Sequence, residues 1–208
     1  MCLPSPIEFV MILPSPLPVL RTARLVLRRP IATDVADRHM IGRDPEVYRM
    51  LGADPRTLQP LTEEQAAAWV ENIASHPAAW VIEWQGRAIG EILLDNAVEA
   101  DRRAGLIIGI LDPDALGKGL GTEAIRAIAE FAFDKLGLHK LSMRVLAFNT
   151  RAIRAYEHVG FIREGLERES ALIGDTWHDD VIVGLLKRDF DALRSGSGGQ
   201  TAEASYRS

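Results

Sequence analysis

A short run of alternating glycines, residues 117–121, has the composition of an anion-binding loop. It follows an apolar stretch, residues 106–111, that is long enough for one buried strand. Pro113 ends that strand because proline has no amide hydrogen to donate to a sheet. Beyond the glycines, apolar residues recur with helical spacing over residues 124–136. The pattern therefore predicts a strand, a glycine-rich loop and a helix in succession.

This arrangement can bind phosphate without a dedicated side chain. Glycines adopt positive φ and let backbone N–H groups approach a ligand, and the first turn of a helix supplies unpaired donors at the positive end of its dipole. Lys118 either adds charge or only solvates the loop. The spacing G-x-G-x-G is neither the dinucleotide fingerprint G-x-G-x-x-G nor the nucleotide P-loop. A tight turn without a ligand stays an alternative.

Two further polar residues follow the next predicted strand, residues 140–146. Asn149 stands before a helix, where asparagine commonly caps the first turn. Tyr156 lies seven residues later, on the same face of that helix, and could be a core aromatic or an acid.

Together these segments resemble the GNAT superfamily of acetyl-CoA-dependent N-acetyltransferases. The matching strings are L-G-K-G-L-G-T-E-A-I (116–125), F-D-K-L-G-L-H-K-L (133–141), N-T-R-A-I-R-A-Y-E-H-V-G-F (149–161) and W-H-D-D-V-I-V-G-L-L (177–186). The opening L-R-T-A-R-L-V-L-R-R-P (20–30) is similar to the branch of Rim-type ribosomal-protein, spermidine and antibiotic acetyltransferases.

The resemblance implies an α/β GNAT fold, with a mixed central sheet of about seven strands flanked by helices. The parallel strands that end at Leu111 and Leu146 splay apart there, and the pantetheine arm of acetyl-CoA enters the gap. It implies no metal. The cofactor-binding residues carried over are Ile110, Leu111, Leu116, Gly117, Lys118, Gly119, Leu120, Gly121, Thr122, Asn149, Ala152 and Tyr156.

By the same resemblance, the activity is transfer of an acetyl group to a primary amine. Tyr156 is then the general acid that protonates the departing thiolate, and a backbone amide near Ile110 stabilises the oxyanion. The base must be a separate group, because only the free amine attacks. Glu91, on a predicted strand, is the first candidate and His178 the second. Both residues also have a purely structural interpretation. Glu91 would then be a carboxylate that faces solvent, and His178 a histidine whose ring nitrogens are hydrogen-bonded within the fold.

The sequence departs from the family pattern at two positions. Leu116 stands where the loop usually carries Gln or Arg. Gly105 stands where relatives often carry a glutamate, so a familiar carboxylate is missing and the base must come from elsewhere.

The acceptor is open between a protein N-terminus of the ribosomal-protein type and a small amine, such as a polyamine, amino sugar or antibiotic. A non-catalytic CoA-binding regulatory module is a further alternative. A homodimer is possible, since dimers are common in this branch.

Composition sets wider limits. With 24 basic and 29 acidic residues the formal net charge is −5, which argues against a generic nucleic-acid binder. The only cysteine, Cys2, cannot form an internal disulfide, which favours a reducing, cytoplasmic setting. No apolar run reaches membrane-spanning length, so no membrane partner is expected.

The predicted organisation is a flexible proline-rich arm (1–19), one GNAT domain (20–190) and a flexible tail (191–208). Translation from Met1 or from Met11 stays open. Capping patterns at Thr33, Asp44 and Thr62 predict three helices. They precede a hairpin predicted from two strands, residues 79–84 and 88–95, and residues 96–103 are predicted to form a charged turn.

Overall fold

The computed structural model describes residues 13–195, and the whole of this part is organised around one eight-stranded mixed sheet. The strands are β1 (Leu20–Arg21), β2 (Leu25–Arg28), β3 (Ala79–Trp84), β4 (Arg87–Val98), β5 (Arg103–Ile110), β6 (Lys140–Leu146), β7 (Ile162–Ile173) and β8 (Thr176–Leu186). The helices are α1 (Asp34–Ile41), α2 (Pro45–Met50), α3 (Glu63–Ser75), α4 (Leu120–Asp134), α5 (Thr150–Val159) and α6 (Lys187–Arg194). The α/β fold predicted from the sequence is confirmed.

Strand order across the sheet is β1-β2-β3-β4-β5-β6-β8-β7. Every neighbouring pair is antiparallel except β5 and β6, which are joined by the α4 crossover and run parallel. Their pairing lasts for only three residue pairs, Arg103↔Lys140, Ala104↔Leu141 and Gly105↔Ser142. Beyond Gly105 the two strands separate, as the splayed arrangement requires.

The main core lies on the face of the sheet that α4 and α5 cover. Ile128 of α4 is fully buried there, and Trp80 meets Phe131 edge to face at 5.6 Å. Phe190 of α6 closes the end of this core against Phe133 at 5.5 Å. A smaller cluster around Val81 lies under α3 on the opposite face. Since both faces of the central strands are covered, β3 reads as an apolar run rather than an alternation.

Two of the three predicted helix caps form as expected. Thr62 and Gln65 make a complete capping box at α3, and Asp44 accepts a hydrogen bond from the Val47 amide at α2. Thr33 precedes α1, but its side chain makes no capping hydrogen bond. The Asp34 side chain instead accepts from the Ile31 amide at 2.8 Å, so the next residue stabilises the chain entering the helix.

The structure differs from the sequence prediction between the central strands and at the ends. Residues 96–98, predicted as part of a turn, continue β4, and only Glu99–Asp101 forms a 3₁₀ turn. Leu17 is buried in the core and the Trp80 indole donates to the Pro18 carbonyl at 2.9 Å, so ordered packing begins before residue 20. At the other end α6 runs to Arg194. Cys2, Met11 and the remainder of the predicted arm and tail lie outside the described residues.

β7 is an edge strand, and it exposes large apolar side chains such as Leu166 and Leu172. The homodimer stays a prediction.

Within residues 13–195, no helix combines the length and the apolar character needed to cross a bilayer.

A buried ion pair fixes α1 to the edge of the sheet. Arg28 of β2 donates to both carboxylate oxygens of Asp34 at 2.8 Å, and its Nε donates to Glu83 at 2.5 Å. The Asp34 side chain is fully buried. The hydrogen bond to Asp34, against the effect of burial, holds the pKa of Arg28 above its usual range.

We expect Asp34→Ala to lower the free energy of unfolding by about 3–5 kcal/mol, because it leaves a largely buried guanidinium without its main partner. Asp101→Ala removes an exposed pair with Arg103 and should cost no more than about 1 kcal/mol. Urea denaturation of the two variants measures both values. Equal losses would contradict a structural role for the buried pair.

Candidate active site

The separation of β5 and β6 opens a cavity of about 810 Å³. Both strands line it, together with the glycine-rich loop and the first turns of α4 and α5. Ten of the predicted cofactor-binding residues are among its lining: Ile110, Leu116, Gly117, Gly119, Leu120, Gly121, Thr122, Asn149, Ala152 and Tyr156. The structure therefore brings the loop and the Asn-Tyr helix together around one space.

The loop owes its shape to two glycines in the left-handed region. Gly117 has φ of 72° and Gly119 has φ of 74°, which favour glycine over residues with a Cβ. Gly119 is also the N-cap of α4, and no side chain caps that end. The first N–H groups of the helix therefore remain available at the cavity, as an anion site requires.

A set of hydrogen bonds from Thr22 and Arg24 to Glu123 and Lys118, here called the polar clamp, ties the glycine-rich loop to the β1–β2 hairpin. The Glu123 carboxylate accepts from the Thr22 hydroxyl at 2.5 Å, from the Arg24 amide at 2.9 Å and from Arg24 Nε at 2.7 Å. Arg24 Nη1 also donates to the Lys118 carbonyl at 2.8 Å. Burial opposes ionisation of Glu123, but the Thr22 and Arg24 donors hold its pKa below the usual range.

The clamp has two consequences for the loop. It fixes the carbonyl of Lys118 towards Arg24, which fixes the peptide plane that carries the next amide. It also neutralises Glu123, whose charge at the helix start would otherwise oppose a bound anion. No motif in the sequence indicated this pairing, because 99 residues separate the two partners.

Asn149 caps α5, as one of the two sequence interpretations predicted. Its side-chain oxygen accepts from the Ala152 amide at 3.1 Å, and its Nδ2 donates to the Met50 carbonyl at 3.3 Å. The second bond ties α5 to the end of α2, so residues 50–52 also line the cavity.

Tyr156 lines the cavity with its ring largely buried against the core. Burial raises the pKa of its phenol to about 12. Among residues 13–195, its hydroxyl has no hydrogen-bond partner. The phenol is therefore a protonated, uncommitted donor throughout the neutral pH range.

The two candidate bases lie outside this cavity lining. Glu91 of β4 is on the face covered by α1 and α3, where burial raises its pKa against the effects of Trp69 and Arg38. Its Oε1 lies 3.9 Å from the point where a Cβ on Gly109 would stand. His178 packs edge to face on Phe148 at 5.0 Å.

His178 belongs to a neighbouring pocket of about 280 Å³, which Arg49 and Arg56 also line. Leu111 and Lys118, which the resemblance carried over as cofactor-binding residues, do not line the main cavity either. The Leu111 amide donates to the Ile89 carbonyl at 2.8 Å, and the Lys118 ammonium lies 5.6 Å from the Trp84 ring centroid.

Several polar residues of the lining were missed, among them Asp95 and Ser142. Alternation along β4 puts Asp95 on the same face as Glu91, a signal that was present in the sequence. Its proximity to Ser142 depends on the order of strands in the sheet, which no local pattern encodes.

The sequence model of the acetyltransferase (GNAT) domain matches residues 24–162 of this chain. The chain belongs to the GNAT acetyltransferase family. The match begins at the Arg24 clamp and extends through the cavity helices to the start of β7.

This GNAT chain is similar to curated N-acetyltransferases over part of their length. It is 32% identical over 103 residues to the Bacillus subtilis probable N-acetyltransferase YjcK, covering 50% of this chain and 57% of that protein. It is 36% identical over 86 residues to the Escherichia coli spermidine N(1)-acetyltransferase, covering 41% of this chain and 46% of that protein. The chain thus spans about half the length of these curated relatives.

A solved GNAT structure shares the fold over most of the chain. The spermidine N-acetyltransferase from Vibrio cholerae, in complex with CoA and spermine, superposes with a TM-score of 0.67. It is 23% identical, and the match covers 81% of this chain and 99% of that chain.

We expect Arg24→Gln to weaken CoA binding about tenfold, equivalent to about 1.4 kcal/mol, because the loop loses its anchor and Glu123 loses its counter-charge. Isothermal titration with CoA measures the affinity. Adding Glu123→Gln should restore part of the loss by removing the uncompensated charge.

The control is Arg21→Gln, an exposed arginine of β1 on the same hairpin. Its affinity should equal that of the unaltered chain. CoA affinity that is the same in the Arg24 and Arg21 variants would contradict the clamp.

Proposed function

We propose that this GNAT chain transfers the acetyl group of acetyl-CoA to a primary amine. The observation that carries the proposal is the single cavity that joins the uncapped start of α4 to the free hydroxyl of Tyr156. An elongated thioester with a phosphate group at one end needs these two features at the two ends of its site.

The lining fits such a co-substrate. The amides around Gly119 suit the pyrophosphate, and the apolar wall formed by residues such as Ile108 and Ile125 suits the pantetheine arm. Leu116 lines the cavity although it lacks the polar side chain usual at this position, so the loop relies on backbone donors. This support favours the enzyme over a module that lacks a proton donor.

Tyr156 is proposed as the group that assists the departing sulfur. A free thiol has a pKa of about 8.5, well below the value of about 12 that burial gives the phenol. Complete proton transfer from Tyr156 to the thiolate is therefore uphill in this setting. Its contribution comes mainly through a hydrogen bond to the developing negative charge, which strengthens as the carbon–sulfur bond breaks.

The acceptor is proposed to approach from the α2 side, where residues 50–52 line the same cavity as Tyr156. Of the two aspartates in the lining, Asp180 is paired with Arg144. Asp95, which forms no ion pair within residues 13–195, suits a cationic amine. A polyamine and a protein N-terminus both meet this requirement, and similarity to a spermidine acetyltransferase over 41% of the chain supports the small amine.

We expect acetyl-CoA-dependent release of CoA thiol with one class of amine. The assay compares spermidine, aminoglycosides, free amino acids and peptides that begin with alanine, serine or threonine. Mass spectrometry should find one added acetyl group on the acceptor. A protein that binds acetyl-CoA by calorimetry yet releases no thiol above the water background with every acceptor would contradict the proposal.

We expect Tyr156→Phe to lower kcat about 10²-fold while leaving acetyl-CoA affinity within about twofold, because only the hydroxyl that assists the leaving group is lost. Steady-state kinetics and calorimetry on the same sample measure both. Phe161→Leu alters the aromatic neighbour of Tyr156, 6.2 Å away, without removing a hydroxyl and serves as the control for packing. Unchanged turnover in Tyr156→Phe would exclude any assistance by the Tyr156 hydroxyl to the departing sulfur.

A further inference from the structure

An amine acceptor arrives as an ammonium ion, so the cavity needs a group that can take a proton. A carboxylate of the cavity lining is the side chain best suited to that role. Among the described residues that line it, only Asp95 and Asp180 carry carboxylates. This chain has Gly105 where relatives often carry a glutamate, so the base has to be sought at another position, and these two aspartates are the candidates.

Asp180 is already committed to other partners. Its side chain is almost fully buried, and its Oδ2 accepts from Arg144 Nε at 2.6 Å and from the Ser170 hydroxyl at 2.8 Å. Taking a proton there would break the ion pair with the half-exposed Arg144 and disrupt the hydrogen bonds of a buried carboxylate. Asp180 is therefore a structural anchor for Arg144.

Asp95 is the uncommitted carboxylate. Its Oδ2 accepts one hydrogen bond, from Asn96 Nδ2 at 3.1 Å, and within residues 13–195 no lysine or arginine forms an ion pair with it. Three arginines line the same cavity, Arg103, Arg144 and Arg151. Two of them are paired with other carboxylates. Arg103 is bonded to Asp101 at 3.1 Å, and Arg144 to Asp180.

The sheet puts Asp95 beside the position of the missing glutamate. Asp95 pairs with Gly105 across β4 and β5, and Gly105 pairs with Ser142 across β5 and β6. Directly opposed residues carry their Cβ atoms about 4.5–5.5 Å apart on the same face of a sheet. Because Gly105 has no side chain, no β5 side chain stands directly opposite the aspartate.

The backbone also disfavours a glutamate at residue 105. A Cβ on Gly105 would lie 3.3 Å from the Asp95 carbonyl oxygen, closer than most real contacts of that kind. The ladder between β4 and β5 shifts register between Asp95 and Val98, where Asn96 has a positive φ of 47°. Bulges of this type re-aim side chains and recur next to active sites.

We propose that Asp95 is the general base of this chain, replacing from β4 the carboxylate that relatives carry on β5 at the Gly105 position. The proposal rests on the acetyl transfer proposed above. It assigns the proton-accepting role to a residue in the same cavity as Tyr156, rather than to Glu91 or His178, which do not line it.

The step balances without a further reactant. An N–H proton of the ammonium passes to the Asp95 carboxylate, directly or through one water, and leaves a free amine. The amine nitrogen forms the bond to the thioester carbonyl carbon and gives a tetrahedral adduct whose nitrogen still carries two protons. As the carbon–sulfur bond breaks, the nitrogen loses the second proton to solvent and becomes the amide nitrogen, and the departing thiolate takes one proton from solvent to give CoA thiol. The first proton returns to solvent from Asp95, so the net products are the amide, CoA thiol and one proton.

The test is the pH dependence of kcat/KM for Asp95→Asn with the best amine from the acceptor assay. We expect a loss of about 10²-fold well below the pKa of that amine, which shrinks as the pH approaches this pKa, because free amine then forms without a base. The pKa is about 10 for an alkylamine and about 8 for a peptide α-amino group. Asp95→Glu, which retains a carboxylate, should recover at least a tenth of the original rate. CoA affinity should stay within twofold in both variants.

Three matched variants separate this proposal from its competitors. Glu99→Gln alters a neighbouring exposed carboxylate outside the cavity and should leave the profile unchanged. Glu91→Gln and His178→Gln should lower the rate, if at all, by the same factor at every pH. A pH-dependent loss confined to either of these two would reassign the base.

Two outcomes would overturn the role of Asp95 alone: full activity of Asp95→Asn at every pH, or a loss that is equal at every pH while the original chain remains active. A lack of turnover in the original chain with every acceptor would instead remove the acetyl transfer on which the inference rests. Thermal unfolding of each variant identifies a loss of activity that comes only from instability. If Asp95→Asn is unstable, the activity of Asp95→Glu decides whether a carboxylate at this position is required.

Discussion

The early end of the parallel pairing between β5 and β6 is the constraint on which the site depends. After Gly105 and Ser142 the strands diverge, so the edge of β5 that would face β6 loses its ladder partner. Unpaired backbone groups in a protein interior need other partners, and here they border a cavity rather than packed side chains. The α4 crossover, which must span this gap, brings its own unpaired N–H groups to the mouth of the same cavity. One geometric feature thus provides both the space for an extended ligand and the donors for its charged end.

The remaining elements hold that opening in shape. Arg24 and Glu123 connect the first hairpin to the glycine-rich loop, and Asn149 connects α5 to the end of α2. Arg28 and Asp34 fix α1 to the sheet on the face away from α4. These contacts join parts of the chain that are distant in sequence, so the cavity is bordered by elements that are each fixed to the main sheet. A site made from such supported elements can keep its donors in place before a ligand arrives.

Two positions of this cavity, Leu116 and Gly105, lack polar side chains that are usual in the family. Leu116 provides no polar group, yet the loop keeps its anion-binding geometry because backbone amides and two left-handed glycines determine it. Gly105 provides no carboxylate, and the neighbouring strand approaches it so closely that a side chain there would be crowded. Both departures fall at positions where the backbone, rather than the side chain, sets the local chemistry.

The sequence by itself determined the elements and the family. Hydrophobic periodicity, the glycine spacing and the capping residues predicted β6, the loop and the start of α5 nearly to the residue, because these signals arise from interactions within a few positions along the chain. The intact Asn149-to-Phe161 string drew attention to a helix that does line the cavity, together with ten of the predicted cofactor-binding residues. Their contact with the cofactor stays a prediction.

Only the tertiary structure decided which polar side chains share the cavity. Glu91 and Asp95 lie two pleats apart on one face of β4, and local patterns treat them alike. Strand order and register direct the first towards Trp69 and Arg38, and bring the second opposite Gly105, next to Ser142. The burial that raises the pKa of Tyr156 and the pairing of Arg24 with Glu123 were equally invisible, since both depend on residues that folding brings close in space from far apart in sequence.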